Sequence, residues 1–282
     1  MRDILTPITK WWGAGEPFGL ATVVRTFSSA PREPGAALAV SAGGEVVGSV
    51  SGGCVEGAVY ELAGQVRADG QGVLQRYGIS DNDAFAVGLT CGGIIDIFVE
   101  PVSSELFPEL GDIAAAVEAG EPVAVATVVA GPGKVGARRV IWAAEAPRAS
   151  GTLGSGDRLD QAVDDDARGM LAQGLTSVRR YGPDGERRRD ELSVFVQSFA
   201  PPPRMLVFGA IDFAAAVARA GKFLGYRVTV CDARPVFDVR AVSRRGRGRD
   251  RLAAPLPVRD NGGRAHRHLR ADPRPQVRRA AA

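Results

Sequence analysis

The chain repeats itself, and that restricts its fold more than any other feature. Ala21-Thr22-Val23-Val24 recurs as Ala126-Thr127-Val128-Val129, and Gly48-Ser49-Val50-Ser51-Gly52-Gly53-Cys54 aligns with Gly151-Thr152-Leu153-Gly154-Ser155-Gly156-Asp157. Gln75-Arg76-Tyr77-Gly78 returns as Arg179-Arg180-Tyr181-Gly182, and Phe98-Val99-Glu100 as Phe195-Val196-Gln197. The offset stays near 100 residues across these segments. Self-similarity that keeps register through several elements points to two copies of one structural unit, packed as pseudo-symmetric halves. Their bounds are about 15–101 and 121–200.

Within the copies, alternating apolar residues predict strands over 18–25, 36–40, 45–50 and 94–100. Val55, Val59, Leu62 and Val66 fall at helical spacing, and so do Leu106, Leu110, Ile113 and Val117. Helices are expected over 55–68 and 158–172. These signals give an α/β class. Pro201-Pro202-Pro203 reads as a semi-rigid linker. Beyond it, residues 204–208 read as a buried strand and 226–231 as a second. Between them Phe213, Val217, Ala220 and Leu224 mark a helix face. Residues 204–238 thus open a Rossmann-like unit and leave it incomplete.

Charge separates the end of the chain from the rest. Residues 239–282 hold 13 Arg, no Lys and 3 Asp, whereas residues 1–238 carry 22 basic and 29 acidic side chains. Arg, Ala, Pro and Gly make up 29 of those last 44 residues, and none is aromatic. Such a segment buries too little apolar surface to offset the entropy of ordering. It is expected to be a disordered basic tail or an out-of-frame reading. Without aromatics to stack on bases, nucleic-acid binding is not expected. No apolar run reaches the roughly 18–20 residues of a membrane span, and no leader pattern opens the chain. A cytoplasmic location follows as the expectation. Both histidines, His266 and His268, lie in the tail. Histidine-based acid–base chemistry and histidine-ligated metals are therefore not expected in the body.

The copies differ where chemistry concentrates. Copy one has Cys54 in Ser51-Gly52-Gly53-Cys54 and Cys91 in Thr90-Cys91-Gly92-Gly93, whereas copy two has Asp157 opposite Cys54 and no cysteine opposite Cys91. Cys54 is expected at a helix N-terminus, where orphan N–H groups favour anions and thiolates. Gly52 and Gly53 would let backbone donors approach a ligand. Cys91, before Gly92 and Gly93, would converge on the same guest. Arg32, in the turn Ala30-Pro31-Arg32-Glu33-Pro34-Gly35, is placed to meet an anion; Arg25, Arg76, Asp96 and Glu100 are further candidates. Glu56 is expected to complement the helix dipole. Gly209 and Asp232 sit where a dinucleotide fingerprint has its first glycine and its acid, but Ile211 stands in place of the second glycine. NAD binding is not expected.

Together, residues 30–35, 48–56, 88–93 and 97–101 resemble the XdhC/CoxI family, and the stretch from Phe208 through Asp232 to Arg234 resembles its C-terminal Rossmann domain. The resemblance runs from about residue 10 to 238. It implies an accessory factor of xanthine dehydrogenase and carbon monoxide dehydrogenase. Such a protein binds molybdenum cofactor transiently and assists its sulfuration with a cysteine desulfurase. It then passes the cofactor to an apo molybdenum hydroxylase, a role of chaperone rather than enzyme. Ser51, Gly52, Gly53, Cys54, Cys91, Gly92, Gly93 and Arg32 are the residues assigned to that cofactor. A homodimer is compatible with this reading. The alternatives are an NAD(P)-binding oxidoreductase and a thiol-dependent sulfur-transfer enzyme.

Overall fold

The computed structural model describes residues 1–78, 92–143, 148–187, 189–209 and 211–232. Cys91 and the tail from 239 lie outside the described residues. The chain divides into two compact units, Met1–Pro201 and Pro202–Ala282.

The first unit opens with a 3-10 turn, Arg2–Ile4, and helix α1, Leu5–Gly13. Five strands follow: β1 (Phe18–Phe27), β2 (Ala37–Ser41), β3 (Val46–Gly48), β4 (Val73–Gly78) and β5 (Ile94–Val102), with α2 (Glu56–Asp69) between β3 and β4. They form one sheet of order β3-β2-β1-β5-β4. Helix α3, Leu110–Ala119, leads to the second copy. Its strands are β6 (Val123–Ala130), β7 (Arg138–Trp142), β8 (Arg148–Thr152), β9 (Ser177–Tyr181) and β10 (Leu192–Phe199), with α4 (Asp157–Gln173) between β8 and β9. The order β8-β7-β6-β10-β9 repeats that of the first sheet. Every neighbouring pair in both sheets is antiparallel.

The duplication extends to backbone detail. Val24 bulges out of the β1–β5 ladder, and Val129 bulges out of β6–β10. Val23 N–H donates to Ala36 O at 2.9 Å, and Val128 N–H to Ala137 O at 2.9 Å. Gly48 and Gly151 have φ of +86° and +78°, and a Cβ on either would overlap a carbonyl oxygen of the next strand, Ala37 or Arg138. Both need glycine for close approach and for φ alike.

Packing follows from alternation along the strands. Ala21, Val23, Ile95, Ile97 and Val99 face α2, burying Val59, Ala63 and Val66. Ala124, Ala126, Val128, Val194 and Val196 face α4 in the same way. The opposite faces meet each other. Phe18, Leu20 and Val102 join Val123, Val125 and Phe199, with α1 and α3 in the same core. Nearby, Val24 and Phe98 touch Val129 and Phe195, two pairs of pseudo-equivalent residues. The result is four layers: helix, sheet, sheet, helix.

The second unit pairs β11 (Arg204–Phe208) with β12 (Arg227–Cys231) in parallel, with α5 (Asp212–Phe223) packed on them. Two expectations fail here. The strand at 204–208 alternates between exposed and half-buried residues, ending on a Phe208 that is 76% exposed. The helix buries Ala214, Ala215, Ala218 and Gly221, while Phe213 is 79% exposed. Close approach decides this. A Cβ at Gly221 would meet Met205 Sδ at 2.5 Å, so the small-residue face lies against the strands and the bulky one points away. A third correction concerns Leu106, which is exposed and precedes the helix that begins at Leu110. Pro108 disfavours helical backbone at Phe107, so the helical spacing begins too early in the sequence.

Candidate functional site at the loop end of the first sheet

Antiparallel pairing brings three connections to one end of the first sheet: residues 28–36 after β1, residues 49–55 after β3, and the Gly92-Gly93 segment before β5. Their contacts join them. A Cβ at Gly93 would overlap Ser29 O, so only glycine lets that segment lie against the end of β1. Cys54 packs with Ala30 and Ala36 on the core beneath α2. The 49–55 loop and the Gly92-Gly93 segment therefore lie at the same end of the sheet. Ser51 is buried, Gly52 and Gly53 are exposed, and Cys54 is half-buried.

The donors of the 49–55 loop are engaged internally. Glu56, the first residue of α2, folds back over the loop. Its Oε1 accepts from Ser49 Oγ at 2.7 Å and from Ser51 N–H at 2.9 Å, and its Oε2 accepts from Gly53 N–H at 2.8 Å and from the Ser51 hydroxyl. Ser51 Oγ accepts from Cys54 N–H and Val55 N–H, both at 3.0 Å, and Gly52 N–H donates to Ser49 Oγ at 3.0 Å. Burial alone would raise the Glu56 pKa; hydrogen bonds from Ser51, Ser49 and backbone N–H groups outweigh it and bring the carboxyl to about 2. An anion site formed by these N–H groups is thus filled by the chain's own carboxylate, which corrects the expectation of open donors and of a merely dipole-complementing Glu56. The loop is held in one shape, with open space outside Gly52 and Gly53 and the Cys54 side chain at its inner edge. Copy two keeps a fragment of this device, with Asp160 Oδ1 accepting from Leu153 N–H at 2.9 Å.

Arg32 lies elsewhere. Its guanidinium is 3.6 Å from Asp3 and lines a cleft of about 420 Å³ with Met1, Glu33, Thr176 and Gln197, where the first copy's β1–β2 connection meets the second copy. Cys54 does not line that cleft. The structure thus gathers the two glycine loops and directs Arg32 to the boundary between the copies. No group of three or more His, Cys, Asp or Glu among the described residues could hold a metal ion. No helix among them is long and apolar enough to cross a membrane. In the second unit, Gly209 (φ +96°) and Asp232 follow the parallel strands at the same end. Sequence reasoning singled out Arg76 but not Arg180, although the repeat alignment pairs the two.

Comparison with known proteins agrees with this architecture. The XdhC and CoxI family matches residues 11–78 and 116–182, one segment in each copy. A Bacillus subtilis (strain 168) protein described as a probable xanthine dehydrogenase subunit is 25% identical over 220 residues, covering 77% of this chain and 60% of that protein. "Uncharacterized protein YqeB" of Escherichia coli (strain K12) is 34% identical over 97 residues, 34% of this chain and 18% of its own length. The chain thus spans less than two thirds of these relatives. A Bacillus halodurans crystal structure described as a xanthine dehydrogenase has the same fold, with a TM-score of 0.55 at 22% identity, covering 83% of this chain and 62% of that one. In each half of its antiparallel body, the chain thus carries a segment that matches the XdhC and CoxI family.

Proposed function

We propose that this chain is a cytoplasmic accessory factor for a xanthine dehydrogenase-type molybdenum hydroxylase. It takes molybdenum cofactor as cargo, presents it for sulfuration by a cysteine desulfurase, and delivers it to the apo-enzyme. The family match in each half supports the accessory role. The observation that carries the cargo reading is the asymmetry between halves: the fold is doubled, but only the first half has a cysteine on its glycine loop. A thiolate suits a soft metal or a transferred sulfur. The Glu56 clamp leaves the loop's N–H groups committed, so its contribution to the cargo is the Cys54 side chain and the open surface of Gly52 and Gly53.

The test mixes the purified protein with cofactor released from a molybdenum enzyme and follows co-elution. Wild type should retain cofactor, Cys54→Ala should lose most of it, and Cys231→Ala should behave as wild type. Equal retention by all three, or none by wild type, would refute the assignment.

A further inference from the structure

A different feature lies between the two sheets. Strand register places Arg25 of β1 opposite Asp96 of β5, and Asp96 opposite Arg76 of β4. The second copy has Ala130, Ser193 and Arg180 at the same three positions. In copy one Asp96 is buried and answers Arg76 with two hydrogen bonds, at 2.7 and 3.0 Å. In copy two Ser193 replaces the acid, so Arg180 faces a hydroxyl where Arg76 faces a carboxylate.

The bulge at Val24 decides where the third arginine goes. Val23 faces α2, yet both Val24 and Arg25 fall on the inner face, because the bulge adds one residue before Arg25. Arg25 then reaches across the seam, donating from Nη2 to Ser193 Oγ at 3.2 Å. Its guanidinium pKa is lowered by burial first, then by the positive charge of Arg180, with Arg76 adding to this and Asp96 opposing it. The other nearby acid, Asp190, stands 3.8 Å from Arg180 and is 79% exposed. Among the described residues, the buried carboxylate of Asp96 pairs with Arg76, Arg180 pairs with the exposed Asp190, and Arg25 bonds to the Ser193 hydroxyl. The outer rim is open: Arg76 and Arg180 are 58% and 56% exposed.

We infer that Arg25, Arg76 and Arg180, with the Ser193 hydroxyl, form a site for a phosphate-class oxyanion on the seam between the two halves. Guanidinium groups are the preferred partners of such anions because they offer planar, charge-assisted donors. The pseudo-symmetry supplies the chemistry. The carboxylate that neutralises copy one is missing from copy two, and an incoming anion supplies that charge. This site rests on register and charge, and it stands whether or not the cofactor reading holds.

The test is calorimetric titration of the full chain with orthophosphate at low salt. Saturable binding is expected. Ser193→Asp installs the missing acid and should weaken binding about tenfold or more, and so should Arg180→Gln. Arg180 is on the exposed rim, so its replacement keeps the test valid should the variant at the half-buried Ser193 fold poorly. Arg179→Gln, one residue away and on the other face of β9, should bind as wild type. No saturable binding, or equal weakening by all three variants, or by none, would overturn the inference. Glycerol 3-phosphate identifies the source. Tighter binding than orthophosphate indicates the phosphate monoester of a larger ligand, and equal or weaker binding indicates the free anion.

Discussion

Glu56 shows how one residue can convert a generic motif into a specific one. A strand, a glycine pair and a helix start make an anion-binding loop in many proteins. Here the carboxylate at the first helical position supplies the anion from within. The consequence is a pH dependence. The carboxyl is lowered from its ordinary 4.5 to about 2, so its contribution is present above pH 4.5 and is lost as pH falls toward 2. Urea unfolding at pH 7, 4.5 and 3 should show stability dropping between the last two, with a smaller drop in Glu56→Gln. At pH 7 that substitution should cost about 1–2 kcal/mol, the scale of hydrogen bonds to a partly exposed charged acceptor. Composition and spacing revealed the loop but not its self-occupation, because an acid two residues after a cysteine is equally compatible with pointing outward.

Element types were legible from side-chain periodicity. Strands at residues 18–25 and 94–100 and helices at 55–68 and 158–172 all appear within a few residues of the expected bounds. The glycines add precision. Gly48 and Gly151 each bring a carbonyl of the neighbouring strand too close for any side chain. Gly48→Ala and Gly151→Ala should therefore each destabilise by about 2–4 kcal/mol, combining left-handed backbone strain with steric overlap. Gly52→Ala, with the same sign of φ but open space around it, should cost about 1 kcal/mol. Thermal unfolding of the three variants separates the two terms. The face of α5 was not legible. Periodicity marks bulky residues as the packing side, but here the strands approach so closely that Ala and Gly occupy it.

At the scale of the molecule, the halves are held by residues that differ between copies. Arg138 of β7 forms an ion pair with Glu100 of β5 between the sheets, both side chains less than a tenth exposed, and its guanidinium lies 4.2 Å from the centre of the Phe107 ring. Their pseudo-equivalents are Ala37 and Gln197, so one half gives the acid, the other the base, and the reciprocal pair does not exist. Removing one partner leaves a buried charge. Glu100→Ala should cost about 3–5 kcal/mol, and the double variant with Arg138→Ala should cost less than the sum of the single changes. Denaturant unfolding of the four proteins completes the cycle; strict additivity would show that the pair is not coupled.

What the sequence by itself determined was the doubling, the kinds of element, and the glycines and cysteines that set the loops apart. All of these are recorded locally, in alternation, in helical spacing, or in a residue type that few backbones require. Only the tertiary structure decided which groups meet. The antiparallel strand order, the inward turn of Arg25 after a bulge, and the ion pair across the seam each join residues far apart in the chain or depend on a one-residue change of register, and the acid folded into its own loop depends on a side-chain direction that spacing leaves open. Side-chain direction along a strand reverses at every step, so a single bulge determines whether a charge faces a helix or the other half, and no local pattern encodes what it finds there.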